Sequence, residues 1–390
     1  MGLDSLEASL MKILIVSEER RYARIVNELR KSNEVDYLFR STKLKIEKGD
    51  YHLPRLFGLH RGFILLVYLY TSFLLLIKRY DVCMTDYVGI YYTNIFPIIK
   101  QLTDIIKTSF IFDIRTIPVD YGEHVAKKVE KQFSRKLRFA NRYYQGITVI
   151  TDEMKHYLQR KYGSIEKPVG IWESGVDVNR FKPLEKNMIL KVKQGFEEDD
   201  FVCFYHGAIN SRRGVIELVE SFRIVKPRES KIKLFILGSG DSYDKICEII
   251  ETYNLQDTVK LHGWVDYAQV PDFISIADLC IVPLPDIDWW RVSSPLKLME
   301  YIACGKNILL TDMVAHTNVV GRNENYFWIR EPKPEYFAEG IEESNRCYKN
   351  DPHFYYAKGM TEREKFVDKI TWERRSIYLM DFITRMIKKT

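Results

Sequence analysis

Five short apolar runs in the second half of the chain restrict its fold more than any other feature: FVCFYH, KLFIL, TVKLHG, LCIVPL and NILLT. Each is a continuous block rich in Val, Ile, Leu and Phe rather than an alternation, the pattern of a strand covered on both faces. Longer stretches with helical spacing, such as GVIELVESFRIVK, separate them. Buried strands joined by crossover helices make a parallel sheet, and the right-handedness of such connections leaves few topologies. A similar rhythm opens the chain: MKILIVS and the helical YARIVNELRKS, then apolar runs within YDVCMTD, IIKTSFIFDIR and GITVIT. Residues 168–183, PVGIWESGVDVNRFKP, break it with Gly and Pro, and residues 184–200 read as connector. The expectation is α/β throughout: two Rossmann-like domains, residues 11–182 and 199–370. A final amphipathic helix, 371–390, makes apolar contacts through Ile377, Met380, Phe382, Ile383 and Ile387.

A chain of 390 residues, 46% hydrophobic and 29% charged, can bury a core in each half. The six cysteines, at 83, 203, 247, 280, 304 and 347, form no C-x-x-C and mostly lie inside apolar runs, which fits a reducing cytoplasm and argues against zinc. Charge is uneven. Residues 1–182 hold 30 of the 59 Lys+Arg but 21 of the 53 Asp+Glu, a net +9, leaving 29 against 32, or −3, for the rest. A basic half suits an anionic partner, and without interleaved aromatic and basic residues nucleic acid is not expected.

The opening MGLDSLEASL has neither a basic n-region nor an apolar h-region, and Leu6 breaks the myristoylation pattern, so an accessory segment is expected there. The run at 62–77, GFILLVYLYTSFLLLI, falls short of the roughly 20 residues that span a bilayer. It reads first as a buried core helix. Its flanks, Arg55, Arg61, Lys78 and Arg79, also fit peripheral contact with an anionic membrane at its inner face.

Chemistry is expected where strands end. In residues 293–307, SSPLKLMEYIACGKN, Ser294 and Pro295 suit a helix start and Gly305 a C-terminal cap, with Leu296, Met299, Ile302 and Ala303 free to face the core. Lys297 and Glu300 share a face. A phosphate belongs at such a start, beside Ser293 and Lys297, and Glu300 can accept from sugar hydroxyls; the plainer alternative is an exposed intrahelical ion pair. Arg212 and Arg213 follow the strand that ends at Gly207; they are either phosphate ligands or a solvated basic turn. Gly238 and Gly263 end two further strands, where Trp264 can flank a base.

Taken together, DIRTIP, GVDVNRFKP, HGAINSRRGVIELVESF, LGSGD, LHGWV, ADLCIVPLP and SPLKLMEYIACGKNILLTD resemble glycosyltransferase family 4, the retaining group 1 enzymes of GT-B fold. The resemblance implies two Rossmann-like domains across a cleft and a donor, UDP- or GDP-sugar, on the C-terminal one. A glycan or lipid-linked acceptor belongs on the N-terminal one, with no cofactor or metal. It places Arg213 and Lys297, with the backbone from Ser293 through Ser294 and Pro295 to Leu296, on the diphosphate. Glu300 falls on the ribose and Val265 on the base. On this reading a ligand, rather than either residue, answers the Lys297–Glu300 pair.

The departures are specific. Val292 stands where the family has an acidic residue, with Asp286 and Asp288 as candidate substitutes, and Ala208 replaces a frequent arginine, shifting work to Arg212. SEERRYAR replaces the first glycine-rich loop, offering Glu18, Glu19, Arg20 and Arg21. Arg115, partnered by Asp113, stands for the usual N-terminal histidine, His124 being too far along. Polysaccharide or glycolipid assembly is the implied setting. A nucleotide-sugar epimerase and a catalytically silent partner subunit are the alternatives.

Overall fold

The computed structural model describes residues 10–17, 22–39, 50–52, 60–103, 105–118 and 123–388. The leader, the loop from Glu18 to Arg21, and Arg55 lie outside these, as do the side chains of Arg61 and His124. The chain divides into two compact units, Ser174–Thr371 and the remainder, so the residues from Trp372 onward return to the first.

Unit 1 runs β1 (Lys12–Ser17), α1 (Tyr22–Leu29), β2 (Glu34–Phe39), β3 (Asp50–His52), α2 (His60–Ile77), β4 (Val82–Thr85), α3 (Ile90–Thr93) and α4 (Ile95–Leu102). It continues with β5 (Ser109–Ile114), α5 (Glu123–Tyr143), β6 (Gly146–Val149), α6 (Asp152–Tyr162) and β7 (Val169–Ile171). Its strands pair in parallel in the order β3-β2-β1-β4-β5-β6-β7. Local signals are satisfied where the sequence supplies them: Thr151 accepts from the Met154 N–H at the start of α6, with Asp152 and Glu153 in its first turn and Arg160 and Lys161 in its last.

Unit 2 runs α7 (Met188–Lys193), β8 (Phe201–His206), α8 (Val215–Val225), β9 (Ile232–Leu237), α9 (Tyr243–Thr252), β10 (Val259–Gly263) and α10 (Val270–Ser275). Then come β11 (Leu279–Val282), α11 (Asp288–Arg291), α12 (Leu296–Ala303), β12 (Asn307–Thr311), α13 (Val314–Val320), β13 (Phe327–Ile329), α14 (Pro334–Asn350) and α15 (Pro352–Phe366). The parallel sheet reads β10-β9-β8-β11-β12-β13. Along β8, Val202 and Phe204 enter one apolar cluster while Phe201, Cys203 and Tyr205 enter the other. Both faces are therefore core, and the run needs no polar alternation. All five strands expected here form; β13 is an addition, and the connector contains a helix, α7, whose buried Lys191 donates to the carbonyls of Glu198 and Asp200.

The closing helix, α16 (Trp372–Ile387), packs in unit 1 on α1 and β7. It buries Trp372, Leu379, Phe382, Ile383 and Met386, whereas Ile377 is exposed, contrary to its expected core role. Gly146 and Gly170 provide the clearance: a Cβ on Gly170 would lie 2.5 Å from Cγ of Phe382.

The run at 62–77 is not a core helix on all sides. Within α2, Val67, Thr71, Leu74 and Leu75 are buried, but Leu65, Leu66, Leu69, Phe73, Leu76 and Ile77 are each 55–60% exposed. Among the described residues no helix is long and apolar enough to cross a membrane.

Candidate functional site

The parallel strands of unit 2 direct four chain segments to the carboxyl edge of its sheet, the edge at which such sheets bind ligands. There a pocket of 340 Å³ opens, lined by His206, Gly207 and Ala208 after β8, by Leu237, Gly238 and Ser239 after β9, and by Trp264, Val265, Tyr267 and Val270 beyond β10. Gly207 and Gly238 are positioned by crowding. At Gly238, with φ +157, a Cβ would lie 1.9 Å from the carbonyl oxygen of Gly207; at Gly207, with φ +128, it would lie 2.5 Å from Cε of Lys297. Gly263 also takes a positive φ but borders open space, and Trp264 is 72% exposed.

Helix α12 starts at Leu296, one residue later than expected. Pro295 is its N-cap, in extended backbone, and no side chain caps it; Ser294 Oγ instead accepts from the N–H of Ser174 at 3.1 Å, and Ser293 Oγ donates to the carbonyl of Trp290 at 2.7 Å. The C-terminal end does match. Gly305 (φ +68) follows the C-cap Cys304, with Gly305 N–H donating to Ile302 and Lys306 N–H to Tyr301, a Schellman closure. Met299, Ile302 and Ala303 are core; Leu296 is only half-buried.

Lys297 and Glu300 do not pair with each other. Lys297 is half-buried against Gly207, its Nζ 4.7 Å from the Tyr205 ring centroid. Burial, then the Arg213 charge, lower its pKa to about 7, against a smaller opposing pull from Glu300. Glu300 is answered inside the protein rather than by a ligand alone. At 3% exposure, its Oε2 is 2.8 Å from His206 Nε2 and its Oε1 accepts from the Tyr267 hydroxyl. The Tyr301 hydroxyl sits 3.0 Å from His206 Nδ1 and accepts from the His206 N–H at 3.2 Å. One proton arrangement satisfies every member: Tyr301 O–H donates to Nδ1, and Nε2–H donates to an ionised Glu300. Each carboxylate oxygen retains a lone pair for a further donor.

The two arginines after β8 are held by α11. Arg213 lies 4.7 Å over Trp290 and Arg212 lies 5.2 Å over Trp289, while Trp290 Nε1 donates to the Arg212 carbonyl at 2.7 Å. Two buried donors here, Arg213 Nε and Trp289 Nε1, have no hydrogen-bond partner among the described residues. With Lys297 they form a cationic, donor-rich wall suited to an anion. Val292 is buried, and its suggested acidic substitutes are engaged elsewhere: Asp286 takes two bonds from Arg291, at 2.6 and 2.9 Å, and Asp288 is 3.8 Å from the same guanidinium.

In unit 1, Asp113 and Arg115 are both buried but are not partners. Asp113 accepts from Tyr22, from Thr148 at 2.6 Å and from Trp172 Nε1 at 3.0 Å, while Arg115 donates to the Trp172 carbonyl and stacks 3.7 Å from its ring centroid. Among the described residues, the acidic group close enough for a metal ion is Glu197, Asp199 and Asp200, at the opposite, amino end of β8. Lys231 already bridges Glu197 and Asp199.

Sequence reasoning singled out Gly207, Gly238, Trp264 and Val265 of the pocket, and Lys297 and Glu300, which contact its lining residues Gly207, His206 and Tyr267 from behind. It missed His206, Tyr267, Tyr301 and both tryptophans. His206, ending its strand beside Gly207, carried the same positional signal; the others meet the site only through the fold.

Two parallel α/β units, one bearing a pocket at its carboxyl edge, define a GT-B glycosyltransferase fold. The glycosyltransferase from Rickettsia africae ESF-5 superposes with TM-score 0.75 at 14% identity, over 98% of this chain and 100% of that one. Anabaena HepE, solved with UDP and glucose, does so with TM-score 0.72 at 12% identity, over 96% and 99%. Residues 187–357 match the model of the family described as glycosyl transferases group 1. Among curated relatives, the putative glycosyltransferase EpsD of Bacillus subtilis is 26% identical over 188 residues, 48% of this chain and 47% of that protein. The mannosylfructose-phosphate synthase of Agrobacterium fabrum is 24% identical over 185 residues, 44% and 40%. The chain thus spans less than half the length of these relatives.

Proposed function

We propose that this protein transfers a sugar, with retention of its anomeric configuration, from a nucleoside-diphosphate sugar held by unit 2 to a glycan or lipid-linked acceptor hydroxyl presented by unit 1. The setting is polysaccharide or glycolipid assembly in the cytoplasm, in peripheral contact with an anionic membrane. The observation that carries it is the cationic wall: Lys297 pressed on Gly207, and two buried donors, Arg213 Nε and Trp289 Nε1, without a partner among the described residues. A diphosphate satisfies all three. The charge that builds on it as the glycosidic bond breaks meets donors already oriented and partly desolvated, where such contacts lower a barrier most. Glu300, fixed by His206 and Tyr267, offers its remaining lone pairs to a ribose diol, and Trp264 offers a face to the base. Retention rests on the resemblance to glycosyltransferase family 4, as does the use of a UDP- or GDP-sugar without a metal. Arg115 and Asp113 are assigned a catalytic place near the reacting sugar on the same ground.

A thermal-shift panel of UDP-, GDP-, ADP- and dTDP-sugars tests the reading, because a ligand of the folded state raises its apparent stability. One nucleotide class should raise the midpoint, and Lys297→Ala should abolish the rise. No rise with any of the four refutes it.

A further inference from the structure

The helices of unit 1 fall into two layers. The connections β3 to β4, β4 to β5 and β5 to β6 all step the same way across the sheet, so right-handed crossovers place α2, α3, α4 and α5 on one face; β1 to β2 steps the other way, placing α1, with α16 against it, on the opposite face. Within the first layer α2 packs on α3, and α4 on α5.

This layer exposes two stripes of opposite character. On α2, Leu65, Leu69, Phe73 and Leu76 recur at helical spacing along about 17 Å of its axis, and Tyr91, Ile95 and Leu102 of α3 and α4 extend the apolar surface. On α5, Lys128, Lys131, Arg135, Arg138 and Arg142 recur every three or four residues over about 21 Å. None of these five has a carboxylate partner among the described residues; Glu130 of the same helix is taken by Lys161 at 2.9 Å. Between the stripes lies a pocket of 370 Å³, whose wall includes Tyr91 and Asn94 on one side and Gln132, Arg135 and Lys136 on the other. Lys136 Nζ lies 3.3 and 3.6 Å from the ring centroids of Tyr87 and Tyr91, which fixes this wall. An exposed apolar stripe of this extent is uncommon on a free soluble surface.

We propose that this helical layer docks on an anionic lipid bilayer, α2 immersing its apolar stripe among acyl chains while the α5 stripe lies on headgroup phosphates. The surface deepens the membrane part of the function proposed above and rests on it. The charge selects the occupant: an apolar stripe alone would suit a second copy of the chain, but five unneutralised cations beside it would repel their own duplicates and attract lipid phosphate.

The test is flotation of the full chain with vesicles of phosphatidylglycerol mixed with phosphatidylcholine, against phosphatidylcholine alone. Wild type should float with the anionic vesicles only. K131E/R135E/R138E should weaken that binding at least about a hundredfold, at about fivefold for each basic residue removed. L69E/F73E should reduce it at least tenfold. All five positions are surface ones, and unchanged melting curves confirm the fold. Wild type remaining unbound, equal binding to both vesicles, or variants floating like wild type would overturn the proposal. So would a soluble dimer broken by L69E/F73E. The nucleotide-sugar thermal shift separates the readings: a protein that shifts but does not float sinks the docking surface alone, and one that floats but does not shift sinks the transferase alone.

Discussion

The Lys297 ammonium makes donor binding depend on pH in a calculable way. With a pKa of about 7 in the free protein, it is half charged at pH 7 and about 1% charged at pH 9. A sugar nucleotide has both phosphates esterified and takes up no proton near neutrality, so the lysine supplies the charge that changes with pH. If the diphosphate engages only the ammonium, affinity falls about fiftyfold from pH 7 to pH 9, roughly 2.3 kcal/mol at 1.36 kcal/mol per tenfold. The sign follows from burial: the folded pKa lies below the ordinary 10.5, binding restores it, and the complex gains a proton. Titration calorimetry in two buffers of different ionisation enthalpy should report uptake of about 0.5 proton at pH 7 and about 0.9 at pH 8. Lys297→Arg, charged throughout, should bind with a flat profile. A wild-type affinity that does not change between pH 7 and pH 9, or the same slope in Lys297→Arg, refutes the argument.

Glu300→Gln keeps the volume but leaves the amide facing two donors, His206 Nε2–H and Tyr267 O–H. The melt should report a loss of about 1–3 kcal/mol, and donor affinity should fall at least about tenfold; unchanged donor affinity would exclude Glu300 from the ribose. Trp290→Ala frees Arg213 and removes the bond to the Arg212 carbonyl, so steady-state kinetics should show a raised donor KM, with Trp290→Phe, which keeps a ring under the guanidinium, intermediate. Gly170→Ala drives a methyl into the Phe382 ring and should cost about 1–3 kcal/mol by chemical denaturation. The double variant with Phe382→Ala should show non-additivity, as expected of residues in contact.

The expected strands of unit 2 were legible because each is buried on both faces, which writes the strand into the composition of a single run. Strands β3, β7 and β13, at three residues each, are too short to carry a period, and their pairing is decided by neighbours in the sheet. In β2 the buried Asp36 breaks the apolar pattern; it is tolerated because Lys78 and Tyr80, more than 40 positions later, bond to it. The exposure of α2 was hidden for the converse reason: an apolar run looks the same whether a neighbour covers it or not. At the site, strand ends and glycines showed where the pocket lies. The partners of Glu300 could not be read because His206 and Tyr267 stand 94 and 33 positions away. Asp113 and Arg115, two apart on one strand, look like partners on paper. In fact neighbouring elements claim each separately.

The last helix completes the first unit, and this sets an order on synthesis. All of Ser174–Thr371 is translated before the Phe382 and Met386 side chains that rest on Gly146 and Gly170 at the β6–β7 edge of the earlier sheet. The earlier half therefore cannot cover its glycine-lined face until the whole of the later half has been translated.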